Sequence, residues 1–277
     1  MLPQEFTFHA PRTVEEALEL LSGEGTPQAL GGGMSLLPLI NLGTRTATSL
    51  VSLRRIDELK FIESSGGLLR IGGTVTHVEI ASNPGIARLC PPLADAAGKI
   101  ADVQVRNRGT IGGSLAHGYP GAEYPTVLSA LGATAVLQSV GTSREVPVQD
   151  LNVGRLETVV RPDEIVTEVR VPTLAPDVRT AYIRFARVMG NYSTVNVVAL
   201  VRNDRSVTLG FGGARYRPVV VESHLDADFE GAARDACKES YSDHMATAEY
   251  RVAMAGVLAH RAIDLALGNH SVLQEKV

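Results

Sequence analysis

Apolar positions near the start of the chain follow a helical repeat, with Val14, Ala17, Leu18 and Leu21 on one face. Thr13 and Glu16 stand three apart at its head, the spacing of a capping box, so a helix is predicted to run to about Ser22. Gly23-Glu24-Gly25 breaks the repeat. The short extended run Pro27-Gln28-Ala29-Leu30 then feeds straight into Gly31-Gly32-Gly33-Met34-Ser35, which reads as a strand entering a glycine turn. A short helix over 36–42 and a second strand over 49–53 complete this stretch.

Another strand is expected over 68–72, ending in Gly72-Gly73, and Thr76-His77-Val78-Glu79 repeats the capping-box spacing ahead of a helix. Pro91-Pro92 suits a helix start, where a missing N–H costs nothing, and Leu93, Ala96, Ala97 and Ile100 would then face the core. A second glycine turn follows at Thr110-Ile111-Gly112-Gly113-Ser114. Strands are expected over 133–138 and 165–171, and 172–177, with Pro172 and Pro176, reads as a linker.

Beyond the linker the pattern becomes a meander, with strands over 180–188, 195–202 and 206–211 and a turn at Asn203-Asp204. Two helices close the chain. The last, over about 247–267, carries Tyr250, Met254, Val257, Leu258, Ala262 and Leu265 at helical spacing. Strands followed by helices make this an α+β region.

Composition narrows the function. A chain of 277 residues, 44% hydrophobic and 20% charged, has room for a multi-part globular protein. It contains no apolar run near the roughly 20 residues that cross a bilayer. The first ten residues have neither a basic start nor an apolar segment, so no secretory signal is expected and a cytoplasmic location is. Net charge −4 and an isoelectric point near 6.0 argue against nucleic-acid binding, which draws on a basic surface. Cys90 and Cys237 could pair, but two separate buried thiols is the preferred reading. Two cysteines cannot supply the four ligands of an iron–sulfur cluster, so any such centre would belong to a partner.

The glycine turns are the features that bear chemistry. Glycine reaches backbone conformations in which successive N–H groups point into one concavity, a nest that suits a diphosphate. Ser35 and Thr110 add hydroxyl donors, and the missing side chains at Gly31, Gly32, Gly33, Gly112 and Gly113 would permit close approach. Either turn alone is an ordinary turn more often than a ligand site, and neither carries the Walker lysine or a G-x-G-x-x-G between strand and helix.

Taken with their flanks, the turns become specific. Leu30-Gly31-Gly32-Gly33-Met34-Ser35-Leu36-Leu37-Pro38 and Val105-Arg106-Asn107-Arg108-Gly109-Thr110-Ile111-Gly112-Gly113-Ser114-Leu115-Ala116-His117 resemble the two flavin-binding signatures of the FAD subunits of molybdenum hydroxylases. These include the xanthine dehydrogenase and carbon monoxide dehydrogenase types. The resemblance continues through Pro120-Gly121-Ala122-Glu123-Tyr124-Pro125, Gly190-Asn191-Tyr192, Ala248-Glu249-Tyr250-Arg251 and Val257-Leu258-Ala259-His260-Arg261-Ala262, nearly the whole chain.

What the resemblance implies is an α+β fold of the vanillyl-alcohol-oxidase (PCMH) type. Two FAD-binding subdomains, 1–57 and 58–174, would precede a C-terminal α+β domain, 178–277. Gly31 to Ser35 and Thr110 to Ser114 would hold the pyrophosphate of FAD, with Leu30 and Leu36 as flanking cofactor-binding positions, and the FAD would be non-covalent, since no histidine or cysteine between Gly31 and Pro38 is available for a covalent link. Glu123 would accept hydrogen bonds from ribityl or ribose hydroxyls, against a solvated loop carboxylate as the alternative. Tyr192 would lie near the isoalloxazine ring, against a core aromatic. His117 would touch flavin or diphosphate, or else bond to backbone. His77 reads as structural, and Arg106 and Arg108 as loop arginines that could neutralise phosphate or meet a partner. Tyr119 and Asn191 depart from the family pattern close to the expected ring.

The resemblance further implies partners: a large molybdenum-cofactor subunit and a small [2Fe–2S] subunit, with NAD, oxygen or a quinone as acceptor. No catalytic side chain and no metal ligand are expected. A free-standing flavoenzyme acting directly on a small molecule, and a non-catalytic assembly subunit, remain the competing expectations.

Overall fold

The computed structural model describes residues 5–269. The outermost ends of the expected regions 1–57 and 178–277 lie outside the described residues. Three sheets succeed one another along the chain. The first is parallel, with β3 (Ser49–Ser52) between β1 (Thr7–His9) and β2 (Pro27–Leu30). Helix α1 (Val14–Leu21) covers one face through Val14, Ala17, Leu18 and Leu21 against Val51, Leu53, Ile56 and Leu59. Helix α2 (Leu36–Asn41) covers the other, where Leu30, Leu36 and Leu37 pack on Ile40, Ala47 and Leu50. Only half of the first capping box forms: Thr13 accepts from the Glu16 amide, but the Glu16 carboxylate takes the Arg12 amide instead.

The second sheet is antiparallel, in the order β4 (Ile62–Ser65), β5 (Leu68–Gly72), β10 (Ile165–Pro172), β6 (Thr134–Ser139) and β7 (Thr142–Pro147). A short hairpin, β8 (Asn152–Gly154) and β9 (Glu157–Thr158), precedes β10. Between β5 and β6 the chain makes α3 (His77–Ser82), α4 (Pro84–Leu89), α5 (Pro91–Lys99), α6 (Val103–Arg106), α7 (Ile111–His117) and α8 (Glu123–Ala130). The capping box on α3 forms in full, with Thr76 and Glu79 satisfying each other's backbone amides.

The third sheet is the meander β11 (Arg179–Phe185), β12 (Val195–Val201), β13 (Ser206–Gly212) and β14 (Val219–His224), closed by α9 (Phe229–Cys237) and α10 (Ala248–Leu267). Every residue of β12 is buried, because the sheet is covered on both faces. Val195, Val197, Ala199 and Val201 meet α9 and α10, whereas Val198 and Leu200 join the core of the second sheet. Helix α8 lies at that junction with all eight residues buried, and Gly210 of β13 lets it approach, since a Cβ there would stand 2.9 Å from Ala130. Cys90 and Cys237 sit unpaired in different cores, and burial pushes their thiols up to about 11 and about 12. No helix among the described residues is long and apolar enough to cross a membrane.

Candidate cofactor site

Strand β2 ends at Leu30, and the chain then turns through Gly31 to Ser35 before α2 begins. Gly33 adopts φ +77°, the left-handed region that glycine enters without strain. Gly32 is more constrained still: a Cβ there would sit 2.0 Å from the Arg108 carbonyl oxygen and 2.7 Å from Gly109 Cα. A Cβ on Gly31 would meet Thr110 Oγ1 at 2.8 Å. The two glycine motifs, far apart in sequence, are therefore in contact. The backbone amides of Gly32, Gly33, Met34 and Ser35 have no acceptor among the described residues. A diphosphate needs such an array of free donors.

The second motif is built differently from the turn expected. Thr110 is the N-cap of α7, its Oγ1 accepting from the Gly113 amide at 3.1 Å, so Gly112 and Gly113 lie within a helix. The amides of Ile111, Gly112 and Ser114 are taken by Val75, Gly73 and Thr110 carbonyls. Gly112 is needed for packing, because its Cβ would stand 2.7 Å from Gly73 O, where α7 meets the second sheet. Ile111 is fully buried in the core, and the Leu30 and Leu36 side chains also pack inward. The groups left free to face outward are the backbone of the first turn and Gly113 and Ser114 of the second, with Thr110 at the cleft. A bridge between Thr76 and Thr110, with His77 N donating to Gly109 O, fixes where Thr110 stands.

A cleft of about 240 Å³ opens where the motifs meet, lined by Gly31, Thr110, Arg108, Arg54 and Lys60 among others. Three of these are cations, against one lining carboxylate, Glu79, and with Lys60 also paired to Asp57 at 2.8 Å; Arg54 and Lys60 were not indicated by any motif in the sequence. Arg106 points away, bonding the Ile100 and Ala101 carbonyls. His77 is buried, its Nδ1 3.1 Å from the Tyr124 hydroxyl, and burial with Arg106 nearby brings it down to about 4, in keeping with a structural role.

An aromatic group gathers near the Ser35 end of the first turn. Tyr119 and Tyr192 stack with centroids 3.9 Å apart, and His117 lies 6.4 Å from the Tyr119 ring. Burial pushes the Tyr192 phenol up and the nearby Ser35 side chain opposes that rise, which sets the β11–β12 loop close to the glycine turn. Burial and Arg45 lower His117 to about 4, so it is neutral at physiological pH. Glu123 is 2% exposed and so is not the solvated loop carboxylate of the alternative reading; its Oε1 accepts from Ser193 Oγ at 3.1 Å with Arg184 Nε at 3.3 Å. Burial raises it to about 7 against the opposing pull of Arg184.

A parallel sheet ending in a glycine turn with free amides, in contact with a second glycine motif beside a cleft that carries three cations, suits a class of protein that holds an anionic cofactor. Residues 4–174 match the family described as the FAD binding domain in molybdopterin dehydrogenase, and the chain belongs to that family. It is an FAD-binding oxidoreductase chain of the molybdenum hydroxylase type. It is 34% identical to the carbon monoxide dehydrogenase medium chain of Hydrogenophaga pseudoflava, over 96% of this chain and 98% of that one. It is also 34% identical to the nicotine 6-hydroxylase medium subunit of Paenarthrobacter nicotinovorans, over 92% and 95%. A solved carbon monoxide dehydrogenase from Hydrogenophaga pseudoflava superposes with TM-score 0.91 at 32% identity, covering 97% of this chain and 99% of that one.

Proposed function

We propose that the chain is the electron-relaying subunit of a molybdenum hydroxylase, placed between a [2Fe–2S] subunit and an external acceptor such as NAD, oxygen or a quinone. The observation that carries this reading is that nearly the full length of chains named medium chain or medium subunit is matched. Such chains are parts of larger assemblies, and this one has two buried cysteines, too few for a cluster of its own.

The residues present fit FAD, whose diphosphate would meet the amides of Gly32 to Ser35, the Thr110 and Ser114 hydroxyls, and the Arg54, Lys60 and Arg108 cations at the cleft. Bound there, FAD supplies the redox chemistry and the chain supplies its placement. Met34 contributes backbone, while His117, Tyr119 and Tyr192 form the aromatic wall that limits solvent on the Ser35 side. The chain is expected to work in the cytoplasm.

The test is to co-express the chain with candidate large and small subunits, isolate it by a tag, and assay released flavin, iron and molybdenum. FAD, iron and molybdenum in a stable complex support the proposal. A yellow chain that turns over a small molecule alone makes it a free-standing flavoenzyme. A colourless chain that refuses added FAD overturns the cofactor site itself.

A further inference from the structure

Sequence-distant motifs converge on one loop, residues 186–194, which joins β11 to β12 and carries Tyr192. From β11, Arg184 donates to the Asn191 carbonyl, to Ser193 Oγ at 3.1 Å and to the Lys99 carbonyl. From α8, Glu123 accepts the Ser193 hydroxyl at 3.1 Å and faces Arg184 at 3.3 Å, with 3% and 13% of the two side chains exposed. Gly121, two residues ahead of Glu123, lets the loop backbone in: a Cβ there would stand 2.2 Å from Ser193 O, and its own carbonyl accepts the Ser193 amide. From α10, Arg251 donates to the Thr194 carbonyl at 2.6 Å. Asn191, Ser193 and Thr194, the residues around Tyr192, are thus each held by a charged side chain.

We infer that Glu123 is a positioning residue: through Ser193 and Arg184 it holds the 191–193 backbone so that Tyr192 stays stacked on Tyr119 beside the glycine turn. One carboxylate oxygen, Oε1, serves both the Ser193 hydroxyl and the Arg184 guanidinium, which ties the loop to α8 and β11 together. An ion pair with hydrogen bonds to backbone on either side of one residue fixes that residue's direction more firmly than packing alone. The functional consequence rests on the reading that the cradle holds FAD; the loop geometry does not.

Two readouts separate these layers. The first is amide hydrogen exchange of 186–194 in the full chain without cofactor, which needs no flavin. Glu123→Gln, which keeps the shape but loses the charge, is expected to speed exchange there at least tenfold while α10 stays protected. Ser193→Ala, which removes only the bridging hydroxyl, should give a smaller change in the same segment. Arg184→Lys, which keeps the charge without the fork, should resemble Glu123→Gln. The second is emission of bound FAD, which a tyrosine held nearby quenches. Glu123→Gln should raise it towards the level of Tyr192→Leu, and Ser193→Ala, which leaves the carboxylate in place, should raise it part of the way. Unchanged exchange in Glu123→Gln and Ser193→Ala overturns the inference. So does unchanged exchange with a tenfold loss of FAD affinity, the pattern of a direct ligand. If the native chain binds no FAD, the proposed function fails, and the exchange data still decide the role of Glu123.

Discussion

At the scale of single residues, the site depends on positions where a side chain is missing. Gly32 faces backbone on the opposing motif, at 2.0 Å from the Arg108 oxygen, and backbone cannot rotate away as a side-chain tip can. Gly32→Ala is therefore expected to push the two motifs apart, lowering FAD affinity at least tenfold and costing about 1–3 kcal/mol in stability, the usual range for overpacking. Titration with FAD and urea unfolding measure both. Gly98→Ala is the control. It lies in α5 with its nearest neighbour at 3.8 Å, so helix propensity should make it neutral or stabilising by up to ~1 kcal/mol. Equal damage from the two substitutions would mean that contact between the motifs does not shape the site. The sequence singled out Gly32 as a point of ligand approach, yet could not reveal that Arg108 is what it must avoid.

Among the elements, α10 does the most to unite the C-terminal part. Arg251 is 1% exposed, its guanidinium bonded to Asp243 and to the Thr194 and Gly213 carbonyls and lying 4.3 Å from the Tyr241 ring centroid. Burial pushes the Asp243 carboxyl up, but the Met245 amide and Arg251 outweigh it and hold it below its ordinary value. Arg251→Met leaves that carboxylate buried without its partner and is expected to cost about 3–5 kcal/mol in urea unfolding. The double change with Asp243→Asn should recover part of the loss, and a single-variant cost below 1 kcal/mol would refute the anchoring role. Periodicity located α10 because one face is apolar. It missed α8, whose residues are buried all round and so leave no polar face to mark a period. It also missed β14 and the hairpin of β8 and β9, too short or too polar to stand out.

Across the whole molecule, acid stability follows from the buried His77 and the half-buried His117. His77 and His117 stay neutral in the folded chain down to about 4, held there by burial first and then by Arg106 and Arg45 respectively. Unfolded, each takes up a proton near 6.5, so the unfolded chain binds more protons between these values. The stability they contribute is complete above pH 6.5 and is lost as pH falls towards 4. Glu123 acts in the opposite sense: its folded value of about 7 means stability falls as pH rises from its ordinary range to 7. His77→Gln should flatten the acid limb by up to about 1.4 kcal/mol per pH unit, the slope of one proton, in denaturation curves recorded from pH 4 to 7. An unaltered limb would show that His77 titrates normally. The sequence by itself determined the α+β class, most of the longer helices and strands, and the two glycine motifs with the family they imply, because periodicity, capping and glycine punctuation act locally. Only the tertiary structure decided that the second motif is a capped helix, that Arg54 and Lys60 line the cleft, and that Glu123 serves the Tyr192 loop. Those facts depend on which distant backbone a residue meets, and no local pattern carries that information.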